Sequence, residues 1–262
     1  MARLRRRWRY NSSMRNPCPI PLGLLVSLLT LAPAVASAEP PALLAPARQL
    51  VLVVTPGWDD VVGELRRFER PDAGAPWQPV GTPGTIVVGR SGMAWDPLAA
   101  PVVAGPTKRE GDGRSPAGAF SIGKAFGFAP ADEAGWTKLP YLHLAEGIEC
   151  VDDPSSRVYN LVVDRRTVLR PDWNSSEHMR EVGEPYRWGV IVNYNTPAVQ
   201  GRGSCIFLHI GGEDGRGTAG CTAMSPADLR QVMAWLDPST SPVIVQLPRA
   251  AYARLKADWS LP

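Results

Sequence analysis

The sequence predicts a mainly β, mixed domain with a few short helices. Its 25 glycines and 27 prolines in 262 residues fall between short runs rich in β-branched and aromatic residues, the pattern of many strands joined by tight turns. Helical signals are confined to a few places, the clearest opening at Ser225, and no repeat of fixed period is present.

Residues 1–38 read as an address and not as part of the fold. Arg3, Arg5, Arg6, Arg7, Arg9 and Arg15 form a basic start, residues 20–35 are apolar, and Ala36-Ser37-Ala38 offers a small-residue cleavage site. This is the pattern of a secretory signal peptide, and the apolar run is short for a membrane span of roughly 20 residues. Met14 is an alternative start, and Cys18 precedes the apolar run, so no lipid-attachment cysteine follows it. The leader holds six arginines and no acid, so without it the formal charge of +3 becomes −3. The basic balance therefore belongs to the leader, and no nucleic-acid partner is expected. Export to the periplasm or cell wall is the expectation, and a monomer with it.

Residues 39–46 read as a mobile proline and alanine linker, 47–248 as one domain and 249–262 as a C-terminal tail. Strands are expected at residues 50–55, 63–68, 77–80 and 85–90, with turns at Gly57-Trp58 and across 71–74. Residues 108–120 form a polar, glycine-rich loop in which Pro116 fixes φ and Gly118 permits an unusual one. No G-K-[ST] follows, which argues against a phosphate loop. His143 lies in the apolar stretch 139–144 and reads as a satisfied strand histidine. Residues 149–154 read as an acidic loop; Asp152 and Asp153 are adjacent acids that cap a turn more readily than they hold calcium. A strand is expected at 158–164. Residues 173–179 suggest a short helical turn capped by Asn174 or Ser175, with His178 exposed. Residues 186–195 read as a core strand. Asn193, Tyr194 and Asn195 would end it on the side where His209 emerges if the strands pair antiparallel, which makes them candidates to line a groove. Their other reading is as turn-forming polar residues.

The stretch 204–225, S-C-I-F-L-H-I-G-G-E-D-G-R-G-T-A-G-C-T-A-M-S, carries the chemistry. Residues 205–210 alternate as a strand does, which holds His209 at its end. Gly211, Gly212, Gly215 and Gly217 let the chain turn back and bring Cys221 towards the imidazole. A thiol is mostly protonated at neutral pH, so a nucleophilic cysteine needs a base nearby, and His209 can supply one. Gly220 allows close approach of a carbonyl, and the neighbouring N–H groups suit an oxyanion. Ser225, Pro226 and Asp228 mark a helix start, with Leu229, Val232, Met233 and Leu236 as its apolar face. A lone cysteine also reads as a buried structural thiol, and zinc would need more ligands than these two. The helix runs to Asp237-Pro238, a strand is expected at 243–247, and a helical tail at 249–259.

Without the leader three cysteines remain, Cys150, Cys205 and Cys221. An odd count suggests one pair and one free thiol. If Cys221 is the nucleophile, Cys150 and Cys205 remain to pair; two buried thiols are the alternative.

The segment Thr218, Ala219, Gly220, Cys221, preceded by His209, resembles the [Ser/Thr]-x-Gly-Cys element of L,D-transpeptidases, the YkuD-type domain. The familiar form is S-H-G-C-I-R; this chain has Ala219 in place of the second histidine and Ala223 in place of the arginine, and G-C-T-A-M resembles divergent branches reading G-C-x-A-M. Ser115, Pro116, Gly118 and Phe120 resemble that family's T-P-x-G-x-F segment. The resemblance implies a β-sandwich-type catalytic domain acting on peptidoglycan stem peptides without cofactor or metal. It further implies Cys221 as nucleophile, His209 as base oriented by a main-chain carbonyl near Ile210 or Gly211, and Cys221 and Gly220 at the oxyanion. Asn193, Tyr194 and Thr218 would border the substrate, and a second stem peptide or a wall protein would supply an amine acceptor. A cysteine hydrolase or a catalytically silent wall-binding domain are the alternatives.

Overall fold

A β-branched, apolar chain that alternates with glycine buries itself most economically by closing a sheet, which leaves no unpaired edge. The computed structural model describes residues 38–97 and 103–262; the expected leader, Ala38 apart, lies outside the described residues. Thirteen strands are present among them: β1 (Gln49–Thr55), β2 (Val62–Glu69), β3 (Gln78–Val87), β4 (Met93–Trp95), β5 (Ser115–Gly127), β6 (Tyr141–His143), β7 (Ile148–Val151), β8 (Val162–Asp164), β9 (Ser176–His178), β10 (Trp188–Val192), β11 (Phe207–Ile210), β12 (Thr222–Met224) and β13 (Val243–Pro248). Two helices join them, α1 (Pro226–Trp235) and α2 (Arg249–Leu255).

The main sheet runs β10-β11-β12-β3-β2-β1-β13-β5 and returns to β10, because β10 pairs with β5 as well as with β11. The long β5 makes that closure. Its first half pairs with β13 (Ser121 opposite Val243) and its second half with β10 (Phe126 opposite Gly189). Within this barrel-like circuit two neighbouring pairs are parallel, β1 with β13 and β11 with β12. β4 and β6 add to β5 outside the circuit, and β8-β7-β9 form a separate three-stranded sheet. β1 is buried along nearly its whole length, as a central strand covered on both faces should be. Its one polar side chain at the start, Gln49, is satisfied by Trp235, Asp237 and Thr240.

α1 begins as expected. The Ser225 hydroxyl accepts from Asp228 N–H at 3.1 Å, Pro226 opens the helix, and Leu229, Val232, Met233 and Leu236 pack into the main core with strands of the barrel. No helix among the described residues is long and apolar enough to cross a membrane.

Several local expectations change. The runs at 77–80 and 85–90 join into one strand, β3, because the intervening Gly81 takes φ +67° and the register against β2 shifts between Leu65 and Arg67; the glycine makes a bulge and not a turn. Residues 39–46 are not a free linker. Residues 42–44 form a 3-10 turn with Leu44 buried, and the Arg70 guanidinium donates to the carbonyls of Leu44, Ala45 and Ala47. Residues 173–179 contain a strand, β9, in place of the expected helical turn, since Glu149, Cys150 and Val151 offer a partner edge opposite residues 178, 177 and 176. The acidic stretch 149–154 is correspondingly half strand, and the strand expected at 158–164 is only β8. Asp153 caps the turn that follows β7, accepting from the N–H groups of Ser155 and Asn174 at 2.9 and 2.7 Å.

Candidate active site

The pairing of β11 with β12 places the histidine and the cysteine. The two strands run parallel, with Leu208 opposite Thr222 and His209 opposite Ala223. The glycine-rich bend must therefore carry the chain back to the level where β11 began, and Gly212 (φ +84°) and Gly215 (φ +70°) supply the left-handed conformations this requires. Cys221 arrives one residue before β12, at the level of Phe207, whose N–H donates to Cys221 Sγ at 3.3 Å. The sulfur in turn donates to the Cys205 carbonyl at 3.3 Å.

His209 Nδ1 lies 2.8 Å from the Ile210 carbonyl oxygen. A carbonyl can only accept, so Nδ1 carries the hydrogen and Nε2 keeps the lone pair. Burial pushes the imidazole below its usual value, the Ile210 contact opposing this, so at neutral pH the ring is a neutral base. The Cys221 thiol is 5 % exposed. Burial pushes it far above the usual thiol range, with the negative charge of Glu177 adding to the effect. The resting site thus holds a neutral imidazole and a protonated thiol.

Hydroxyl groups fix the turn that carries Cys221. Ser115 Oγ, fully buried at the start of β5, accepts from Gly89 N–H at 2.9 Å and donates towards the Gly220 and Cys221 carbonyls at 2.7 and 3.0 Å. Thr218 Oγ1 donates to the Cys221 carbonyl at 2.6 Å and accepts from Gly220 N–H at 3.0 Å. The expected oxyanion group Gly220 N–H is therefore committed to Thr218, and Gly211 N–H donates to the Met224 carbonyl at 2.9 Å. Thr218 shapes the loop from within.

A second cluster of buried residues surrounds the thiol: Phe126, Tyr186, Cys205 and Phe207 among others. Cys150 and Cys205 form a disulfide, which joins β7 to the segment leading into β11. Cys205 itself takes φ +55°, which ends the strand expected from 205 and turns its carbonyl to the thiol. Asn160 secures this bend. Its Oδ1 accepts from Cys205 N–H at 3.0 Å, and its Nδ2 donates to the carbonyls of Tyr194 and Asn195 at 2.9 and 2.8 Å.

The Asn193 to Asn195 segment lies at the other end of β11 from His209, because β10 and β11 pair antiparallel with Gly189 opposite His209. Asn193 donates to Ser121 at 3.0 Å and borders a groove of about 660 Å³ with Tyr194, Ile191 and Leu161. Tyr194 is nearly buried, its hydroxyl donating to the Arg202 carbonyl at 2.6 Å. A smaller cavity of about 140 Å³ reaches Cys221 and is lined by Arg90, Lys108, Glu110, Asp152 and Glu177. A larger groove, about 1020 Å³, lies between the N-terminal turn and the C-terminal residues and touches none of the motif residues, whereas the small cavity is lined by Cys221, Gly220 and Ala219. His178 and His143 are both exposed and outside it.

The model of the L,D-transpeptidase catalytic domain family, YkuD, matches residues 82–245. The chain belongs to this family. The match spans Ser115, His209 and Cys221, so the geometry above is that of an L,D-transpeptidase-type domain. No match is found among curated proteins or among solved structures. Where the familiar motif has an arginine, this chain has Ala223, buried beside Gly211.

Three residues with evident roles at the site escaped the sequence reading: Asn160, Tyr186 and Glu177. Tyr186 packs at 5.4 Å from the His209 ring and 5.6 Å from Phe207, and its hydroxyl donates to Glu177 at 2.5 Å. Each acts through partners distant in sequence, and no local spacing signals them.

Proposed function

We propose that this L,D-transpeptidase-type domain is an exported cysteine acyltransferase acting on peptidoglycan stem peptides in the periplasm or cell wall. Cys221 Sγ attacks the carbonyl between the diamino acid and the terminal D-alanine, and His209 Nε2 takes the thiol proton. The tetrahedral intermediate collapses to a thioester as His209 returns the proton to the departing D-alanine amine. An amine acceptor, from a second stem peptide or a wall protein, then displaces the thiolate and restores the enzyme. The Cys221 N–H is the oxyanion donor in this scheme. The observation that carries the reading is the 2.8 Å contact of His209 Nδ1 with the Ile210 carbonyl, which leaves Nε2 as a base on the strand beside the thiol.

The test is incubation with a stem tetrapeptide with and without an amine acceptor, followed by mass spectrometry. Release of D-alanine with formation of the cross-linked amide, lost in Cys221→Ala, is the expected result. D-alanine release unaffected by acceptor would make the domain an L,D-carboxypeptidase. A catalytically silent wall-binding domain is the second reading, favoured by the burial of the thiol and its engagement with Cys205; binding of the peptide without D-alanine release would establish it.

A further inference from the structure

A phenol carries a single proton, and the one on Tyr186 is given to a carboxylate: the hydroxyl donates to Glu177 Oε2 at 2.5 Å. The ring is held in place by Phe126, Phe207 and His209 at 5.4 to 5.6 Å between centroids, in the buried cluster that also contains Cys221. The phenol thus lies beside the imidazole and one carboxylate, in the cluster that holds the nucleophile. Glu177 comes from β9, an element that the disulfide and β7 bring over the thiol: Glu177 lies opposite Cys150 in that pairing.

We propose that Glu177 is a positioning residue for the nucleophile. Its carboxylate, by holding the one hydroxyl proton of Tyr186, withholds that proton from Cys221, and a neutralised Glu177 releases it to the sulfur. When Glu177 takes up a proton from solvent, its own O–H donates to Tyr186 Oη, and the Tyr186 O–H turns to the sulfur, where it stabilises the thiolate as the thiol proton passes to His209 Nε2. No proton is created or lost in this rearrangement beyond the one Glu177 gains.

The surroundings favour such a role. Burial, together with the charges of Asp152 and Glu110, raises the Glu177 carboxyl to about 7, against the lowering effect of the Tyr186 hydrogen bond. Both forms are therefore populated near neutral pH. The groups facing Glu177 and Cys221 across the small cavity are Glu110, Asp152, Lys108 and Arg90. Lys108 is held by Asp112 at 2.7 Å, and Glu110 accepts from Ser204 at 2.8 Å and from Tyr159. Asp152 accepts from Ser175 at 2.5 Å. Tyr186 itself stays protonated, burial and the neighbouring sulfur and carboxylate raising it well above the usual phenol value.

This inference rests on the reading of Cys221 as nucleophile, and the experiment separates the two. The full chain, disulfide intact, is treated with iodoacetamide across a pH series, and alkylation at Cys221 is followed by peptide mass spectrometry. Glu177→Gln is expected to lower the midpoint of the profile by about one pH unit, about a tenfold faster alkylation near neutral pH. Tyr186→Phe should slow alkylation below about pH 7, where Glu177 is neutral and the parent's Tyr186 O–H faces the sulfur, and Glu177→Gln made in the Tyr186→Phe background should shift the midpoint by less than half as much. A midpoint unmoved or raised by Glu177→Gln, or the same shift with and without Tyr186, overturns the proposal. If Glu177→Gln does not fold, equal alkylation rates of the parent and Tyr186→Phe below about pH 7 overturn it. A Cys221 that alkylates at no pH overturns the nucleophile reading as well.

Discussion

Ser115→Ala removes one oxygen and disturbs two distant segments at once. In the structure this fully buried hydroxyl accepts from Gly89 N–H and donates to the Gly220 carbonyl, at 2.9 and 2.7 Å. Alanine leaves both backbone groups buried without that partner, whereas the Cys221 carbonyl retains the Thr218 hydroxyl at 2.6 Å. An unsatisfied buried polar group costs about 1–3 kcal/mol, so the two together cost about 3 kcal/mol. In a domain of this size each kcal/mol moves the melting temperature by roughly 2–4 °C, so the variant should melt about 6–12 °C lower. Because the lost contact anchors the residue before the nucleophile, the rate of Cys221 alkylation should change with it. Thermal unfolding by circular dichroism and iodoacetamide kinetics read the two effects. A melting temperature within about 1 °C of the parent, with an unchanged alkylation rate, would refute the assignment of Ser115 as the anchor of the turn.

Three other perturbations test separate parts of the account. Replacing the Cys150–Cys205 disulfide with two serines opens a loop of sequence separation 55 and should cost about 4 kcal/mol by the loop-entropy relation; denaturant unfolding measures it, and Cys221 alkylation should alter because the Cys205 carbonyl is no longer fixed. Gly189→Ala places a Cβ 2.3 Å from Phe126 and 2.7 Å from the Leu208 carbonyl, directly opposite His209, and should destabilise by about 1–3 kcal/mol with loss of activity, read by unfolding and by D-alanine release. The buried titrating groups also set a pH dependence. The folded state resists ionising Cys221, so stability falls as pH rises above the ordinary thiol value, and Cys221→Ala removes that fall. It also resists ionising Glu177, so stability falls between the ordinary carboxylate value and about 7, and Glu177→Gln melts higher relative to the parent at alkaline pH than at acid pH. His209, held neutral, makes stability fall as pH drops below the ordinary imidazole value.

Much of the fold was legible because its determinants are local. The cap and apolar face of α1 lie within a dozen residues of Ser225, and the glycines after His209 mark the return that places β12 beside β11. The strand at 173–179 was not legible, because a polar W-N-S-S-E-H-M run has the look of a capped turn and becomes a strand only when β7 supplies an edge. The same separation holds at the site. His209, Cys221 and the Ile210 carbonyl share one short stretch, whereas the Ser115 hydroxyl, the Asn160 amide and the Tyr186 and Glu177 pair reach the thiol through the tertiary fold. The groove residues were misplaced by strand direction: in an antiparallel pair the end of β10 meets the beginning of β11, which puts Asn193 by Cys205 and away from His209. Gly220 N–H was expected at the oxyanion, and the Thr218 hydroxyl two residues away claims it.

The most direct measurement of the central claim is the mass of the intact chain after incubation with a carbapenem, a β-lactam whose strained amide opens on thiolate attack and remains attached as a thioester. The account predicts one adduct per chain, mapped to Cys221, absent in Cys221→Ala and slowed in His209→Ala. An adduct that persists in Cys221→Ala, or its absence together with a Cys221 inert to small thiol reagents at every pH, would contradict it.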